Sequence, residues 1–409
     1  MHHLTQQACR TLMHIRTMAA TIGFVVAIST DGLAQAGDTT TARELTPGVS
    51  FRKFTDATGP WTMYLVRVDL RRSDLEIRPA RAHGALKGRE TVSAMARRAT
   101  NATDQVVAAV NGDFFELKLG ENENNQVIDG EWWKGVKVTD SPYDTYDNTH
   151  TQLAFDTDHH PTMDRYLIDA RAWSHGTMTP IMTVNFNQVG NPEGTVLYTS
   201  RFGATTPRDT ARITAEAALA FAGRRGDTVL YVRVGAVSTM SGSVIPSGGA
   251  VLSAYGAGSR NKEVLAMPAG DTVKVLLATI PRTARAPTMI IGGWPRILRD
   301  GIDVAADAPT IEGTISRNAE ARHPRTAVGF SRDSSTLFLF AVDGRSENSG
   351  GMTLTELAAM MRKVGAWQAM NFDGGGSTTM VIDGVVVNKP TDATGEREVG
   401  NALLVVRKR

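Results

Sequence analysis

The chain has 409 residues, with 44 Lys and Arg against 42 Asp and Glu and a formal net charge of +2. Its 42% hydrophobic and 21% charged residues exclude a mainly disordered protein, and the near-neutral charge leaves no basic footprint for a nucleic-acid partner. The single cysteine, Cys9, excludes a disulfide framework and a thiolate metal cluster, and the 39 glycines are the one compositional excess.

In chain order, Arg10 and Arg16 precede an apolar stretch from Met18 to Ile28, too short for the ~20 residues of a spanning helix. Ala34-Gln35-Ala36 follows, with small residues where a signal peptidase needs them. Residues 1–36 therefore read as a cleaved secretory signal, the alternative being an uncleaved anchor, and the expected location is periplasmic or secreted. No later segment reaches ~18 apolar residues, so no integral membrane segment is expected after cleavage.

Residues 37–50 are Thr-, Asp- and Gly-rich and read as a flexible lead-in. Residues 51–409 read as a single large α+β domain, with strand-rich mixed sheets and a few flanking helices; 150–300 is a candidate sub-lobe. Trp61–Leu70 alternates as a strand, Arg89–Arg98 reads as a helix, and Val106–Val110 is a strand delivering Asn111-Gly-Asp-Phe-Phe115. Residues 116–150 read as a long polar loop around Trp132-Trp133. Further strands are expected at Thr228–Val234 and Asp271–Leu277. Thr326–Phe330 and Thr336–Val342 form a hairpin. A helix then presents Leu354, Leu357, Ala358, Met361 and Val364 on one face, opened by a Thr353/Glu356 capping box and closed by Gly365. Strand Ala366–Phe372 opens onto Asp373-Gly-Gly-Gly-Ser-Thr378. A last hairpin turns at Asp383-Gly384, and Ala402–Val406 closes the chain.

Three clusters could carry chemistry. Gly374–Gly376, directly after a strand, has no side chains to block a ligand, so its backbone N–H groups can approach an anion; Ser377 and Thr378 add hydroxyls, and Asp373 places a carboxylate at the strand end. The stretch lacks the lysine of a phosphate-binding P-loop, and a glycine-rich turn is its plain alternative. His323-Pro-Arg-Thr-Ala-Val-Gly329 with Asp343-Gly-Arg345-Ser-Glu347 offers two guanidinium forks, Arg325 and Arg345. These sit at opposite ends of the hairpin and meet only if both face one edge; surface ion pairing is the alternative, and His323 is an acid/base or a structural residue. Asn111 and Asp113 sit at a strand end, in what is also an ordinary turn. Metal support is weak. His159-His160 are adjacent and share no helix face, and only an oxygen-built calcium site within Glu116–Asp147 is compatible with the residues.

These blocks, in this order, resemble the phosphodiester glycosidase family. The resemblance rests on Asn111–Phe115, Arg325–Gly329, Asp343–Arg345, the run Gly351–Thr379 and Glu396–Leu403. The middle is similar to longer bacterial members through Leu197–Gly203, Ile245–Ser253 and Gly292–Gly301, with Trp294 where a small residue is expected, a change that would narrow the pocket. The resemblance implies hydrolysis of a sugar-1-phosphodiester to free sugar and phosphomonoester; no cofactor is expected to be required, a calcium ion being the alternative. Its implied catalytic carboxylates are Asp373 and Asp113, then Asp343 and Glu347. Asn111, Arg325, Thr326, Arg345, Gly374, Gly375, Gly376, Ser377 and Thr378 would bind the carbohydrate-phosphate substrate. A hydrolase of a non-phosphorylated glycan, or a non-catalytic glycan-binding protein, are the alternatives.

Overall fold

Strand alternation builds an eight-stranded antiparallel sheet. The computed structural model describes residues 40–137, 149–186, 193–313 and 320–409. The proposed signal at 1–36 and part of the polar loop, 138–148, lie outside them. In the first sheet Trp61–Asp69 pairs with Thr336–Val342, which pairs with Arg325–Phe330, then Gln368–Asn371 and Arg296–Arg299. The period-two pattern gives this sheet two apolar faces. Val66, Leu339, Val328 and Met370 enter one core, while Leu65, Phe338, Phe340 and Ala327 enter another.

That second core is closed by the helix Leu354–Lys363, which begins at the expected capping box and ends before Gly365 at φ +108. The first core is shared with a five-stranded sheet in which Asp104–Asn111 lies between Met380–Ile382 and Asn401–Lys408. The helix Val92–Ala99 covers that sheet's outer face. It begins three residues later than the sequence suggests, because the Thr91 hydroxyl caps Ala94 N–H at 3.2 Å.

The central region builds a second eight-stranded sheet with its own core, bridged to the rest by a five-stranded sheet containing Gln126–Ile128 and Pro287–Gly292. The described residues nevertheless form one compact unit.

Strand-rich mixed sheets are thus present, but four α-helices among the described residues make the fold mostly β, and the α+β expectation overstated the helices. Two further expectations need correction. Thr40–Thr46, within the presumed flexible lead-in, is an exposed edge strand paired with Val49–Asp56; its threonines suit a pleated edge. The polar stretch after Glu116 contains the hairpin Gln126–Ile128/Glu131–Lys134, with Trp132 and Trp133 buried. Among the described residues no helix is long and apolar enough to cross a membrane.

Candidate active site

The DGGGST turn is pinned from below by Asn111. Its Nδ2 donates to the Asp373 carbonyl at 2.7 Å, and its Oδ1 accepts from Thr326 Oγ1 at 2.7 Å and from Thr379 N–H at 3.1 Å. Asn111 is 1% exposed and Thr326 fully buried. Both therefore act as structural clamps, a correction to their expected role as substrate contacts. Asn111→Ala removes three hydrogen bonds and orphans a buried hydroxyl, so it should cost about 2–4 kcal/mol in chemical denaturation. An unchanged midpoint would contradict the clamp.

Beside the clamp lies a cavity of about 200 Å³ whose polar lining includes Asp373, Gly374–Gly376, Arg325, Arg345, Arg397 and His323. Phe114, Trp294, Pro295, Ala308, Pro309 and Leu354 add its apolar lining. Arg325 pairs in register with Val342, so Arg325 and Arg345 lie at the same open end of their hairpin, not at opposite ends. The loop Arg332–Ser335 closes the other end, and the chain direction of the two strands brings both arginines to one cleft.

Gly374 and Gly375 do not offer free N–H groups as expected. Gly374 N donates to Asp373 Oδ1 at 2.8 Å and Gly375 N to the Pro324 carbonyl at 2.9 Å. What glycine supplies is room. Gly375 sits at φ +61, where a Cβ would lie 3.1 Å from Arg345 Nη2, and a Cβ on Gly376 would lie 2.3 Å from Arg397 Nη2. The arginines can therefore close over the turn. Ser377 and Thr378 are buried behind it. Arg397 Nη1 reaches Ser377 Oγ at 3.4 Å, and Ser377 in turn hydrogen-bonds Asp373, so Ser377 positions the carboxylate from beneath.

Burial pushes the Asp373 carboxyl up to about 6, against the pull of Ser377, Gly374 N–H and Arg397, with the Asp113 charge adding to the rise. Arg325 is held by the Met352 and Ala321 carbonyls at 3.0 Å each, and burial lowers it to about 10, leaving it cationic at neutral pH. His323 is pushed down by burial and by Arg325 and Arg345, so it is neutral there; Arg345 Nη2 lies 3.4 Å from its Nδ1. Three guanidiniums face one carboxylate, which makes the cleft a site for an anion.

The other expected carboxylates are elsewhere. Asp113, 2% exposed, accepts from Asn124 N–H at 3.0 Å, Asn124 Nδ2 at 2.7 Å and Asn122 Nδ2 at 3.2 Å. Asp343 accepts from Tyr64 Oη and Lys389 N–H, both at 2.8 Å, and is buried. Glu347 is exposed on the loop after Arg345. Neither these nor Asp113 lines the cavity, and Asp373 is the carboxylate that does. Sequence reasoning missed Arg397 as a site residue, although its Glu396–Leu403 block was visible.

Trp294 is among the residues lining the cavity, stacked on His150 at 4.4 Å and edge-on to Phe114 at 5.8 Å. Among the described residues no group of three or more His, Cys, Asp or Glu could hold a metal ion, and 138–148 of the calcium candidate Glu116–Asp147 lie outside them.

A strand-rich scaffold presenting a glycine turn, one carboxylate and an arginine cluster is the setting in which the comparisons with known proteins fall. Residues 214–406 match the family model described as phosphodiester glycosidase. Mouse N-acetylglucosamine-1-phosphodiester alpha-N-acetylglucosaminidase is 33% identical over 110 residues, 25% of this chain and 21% of the mouse protein. The SPbeta prophage-derived uncharacterized protein YomE of Bacillus subtilis is 31% identical over 126 residues, 30% of this chain and 19% of that protein. The match thus spans only about a fifth of either relative. The crystal structure of a hypothetical protein from Synechocystis shares the fold at a TM-score of 0.70 and 20% identity, covering 90% of this chain and 64% of that one. The family supports a glycosidase-type hydrolase.

Proposed function

We propose that the protein is an exported glycosidase that hydrolyses a sugar-1-phosphodiester, such as an N-acetylglucosamine-1-phosphodiester or an envelope glycan-phosphate, to free sugar and phosphomonoester. The observation that carries this reading is the meeting of Asp373, raised toward neutrality, with Arg325, Arg345 and Arg397 in one cleft. A phosphodiester leaves as a stabilised anion, so cradling its charge matters more than protonating it. The arginines supply that cradle. Asp373, once ionised, supplies the carboxylate that activates water or attacks the anomeric carbon. With no second carboxylate lining the cavity among the described residues, no carboxylic acid is positioned there to protonate the leaving group, which suits a leaving group that does not need one. Export rests on the signal-like residues 1–36 and the A-x-A site, and carries the substrate class to the envelope or beyond.

Incubating the mature protein with a panel of sugar-1-phosphodiesters should release reducing sugar and phosphomonoester in equal amounts. Release of inorganic phosphate or of a sugar phosphate would instead mark an ordinary phosphodiesterase.

A further inference from the structure

The bacterial-type block Leu197–Gly203 takes no part in the cleft, yet it lines a second groove of about 430 Å³. Its Thr199, Ser200 and Arg201 meet the hairpin turn at Asp129–Glu131 and the paired strands Thr214–Arg225 and Thr228–Ser238. Phe221 stands directly opposite Tyr231 in register, with the rings edge-to-face at 6.3 Å. A bulge between Phe221 and Gly223 breaks the ladder at that point. Phe221 is 55% exposed, a large apolar ring left in water beside a built recess.

The polar residues around it are fixed. Arg201 Nε donates to Glu131 Oε2 at 2.8 Å, its guanidinium lies 4.8 Å over the Trp133 ring, and Arg224 Nη1 donates to the Gly130 carbonyl. Asp129 and Glu131 balance Arg201 and Arg224 in charge, so the groove has no net field with which to draw an anion. This is the reverse of the cleft, where cations prevail.

We propose that this groove is a second binding site, for a neutral oligosaccharide. An exposed ring offers a face to the C–H surface of a sugar, and pre-oriented carboxylate and guanidinium groups offer paired hydrogen bonds to its hydroxyls. A neutral, polyhydroxylated chain matches both features and needs no charge from the groove. Such a site would hold the enzyme on a glycan while the cleft works on another part, and it stands independently of what the cleft cleaves.

The test is calorimetric titration of the full mature protein with cello-, chito-, malto- and mannotetraose, alongside Phe221→Ala and Arg201→Ala. At least one tetrasaccharide should bind, and each substitution should weaken it about tenfold, the effect of one lost aromatic or paired polar contact. Phe221→Ala should leave the thermal midpoint and the turnover of a small soluble sugar-1-phosphodiester unchanged. Binding of none of the four, or binding that survives both substitutions, overturns the proposal.

Discussion

Asp373→Asn should lower turnover of a sugar-1-phosphodiester by about 10³-fold, the scale of a lost general base or nucleophile. It is the carboxylate that lines the cavity, and neither Asp113 nor Asp343 can replace it, because both are buried in hydrogen bonds to neighbours. In the wild type, activity should rise with pH through about 6 as Asp373 ionises. Stability should move the other way. The fold raises this carboxyl from 3.8 to about 6, so its contribution is complete below about pH 4 and is lost as pH climbs through 6. Asp373→Asn should therefore raise the thermal midpoint at about pH 8 and leave it little changed at about pH 4. An inactive variant without that pH-dependent gain would separate catalytic loss from the burial account.

Arg345→Ala should cost about 10²-fold on a sugar-1-phosphodiester and little on a neutral glycoside of the same sugar, since one donor to a developing anion has that scale. Arg345 makes the cleaner test of the three. It is exposed on its loop, whereas Arg325 is tied to two carbonyls and Arg397 to Asp392. Lysine at 345 should restore only part of the loss, because it offers charge without the planar fork. Equal losses on both substrates would show that Arg345 shapes the cleft and does not hold the phosphate.

Much of the strand framework was legible because its signals are local. Period-two alternation marked Trp61–Leu70, the turn Arg332–Ser335 marked the hairpin that contains Thr336–Val342, and the Thr353/Glu356 box with Gly365 marked the helix. The glycine turn and Arg325 stood out as candidates because of the family resemblance, and the structure brings both to the lining of one cavity. What was not legible depends on contacts distant in sequence. Asp113 stood as a second catalytic carboxylate through the family resemblance, its strand-end position alone being equally that of an ordinary turn. Asn122 and Asn124, nine and eleven residues on, hold it in the core instead. Their polarity suggested a solvated loop, but Asn124 and Asn125 are fully buried and satisfied. Arg397 went unassigned because only the return of Asn401–Lys408 to the strand Asp104–Asn111 carries its loop to the glycine turn. The thrice-repeated glycine promised free backbone donors, whereas two of them are spent holding Asp373 and Pro324.

In the proposed reaction the anomeric carbon–oxygen bond breaks and the phosphate stays intact on its other substituent. Hydrolysis in water enriched in heavy oxygen reads this directly by mass spectrometry of both products. Label in the sugar and none in the phosphomonoester is the result predicted. Label in the phosphate would place the attack on phosphorus and contradict it.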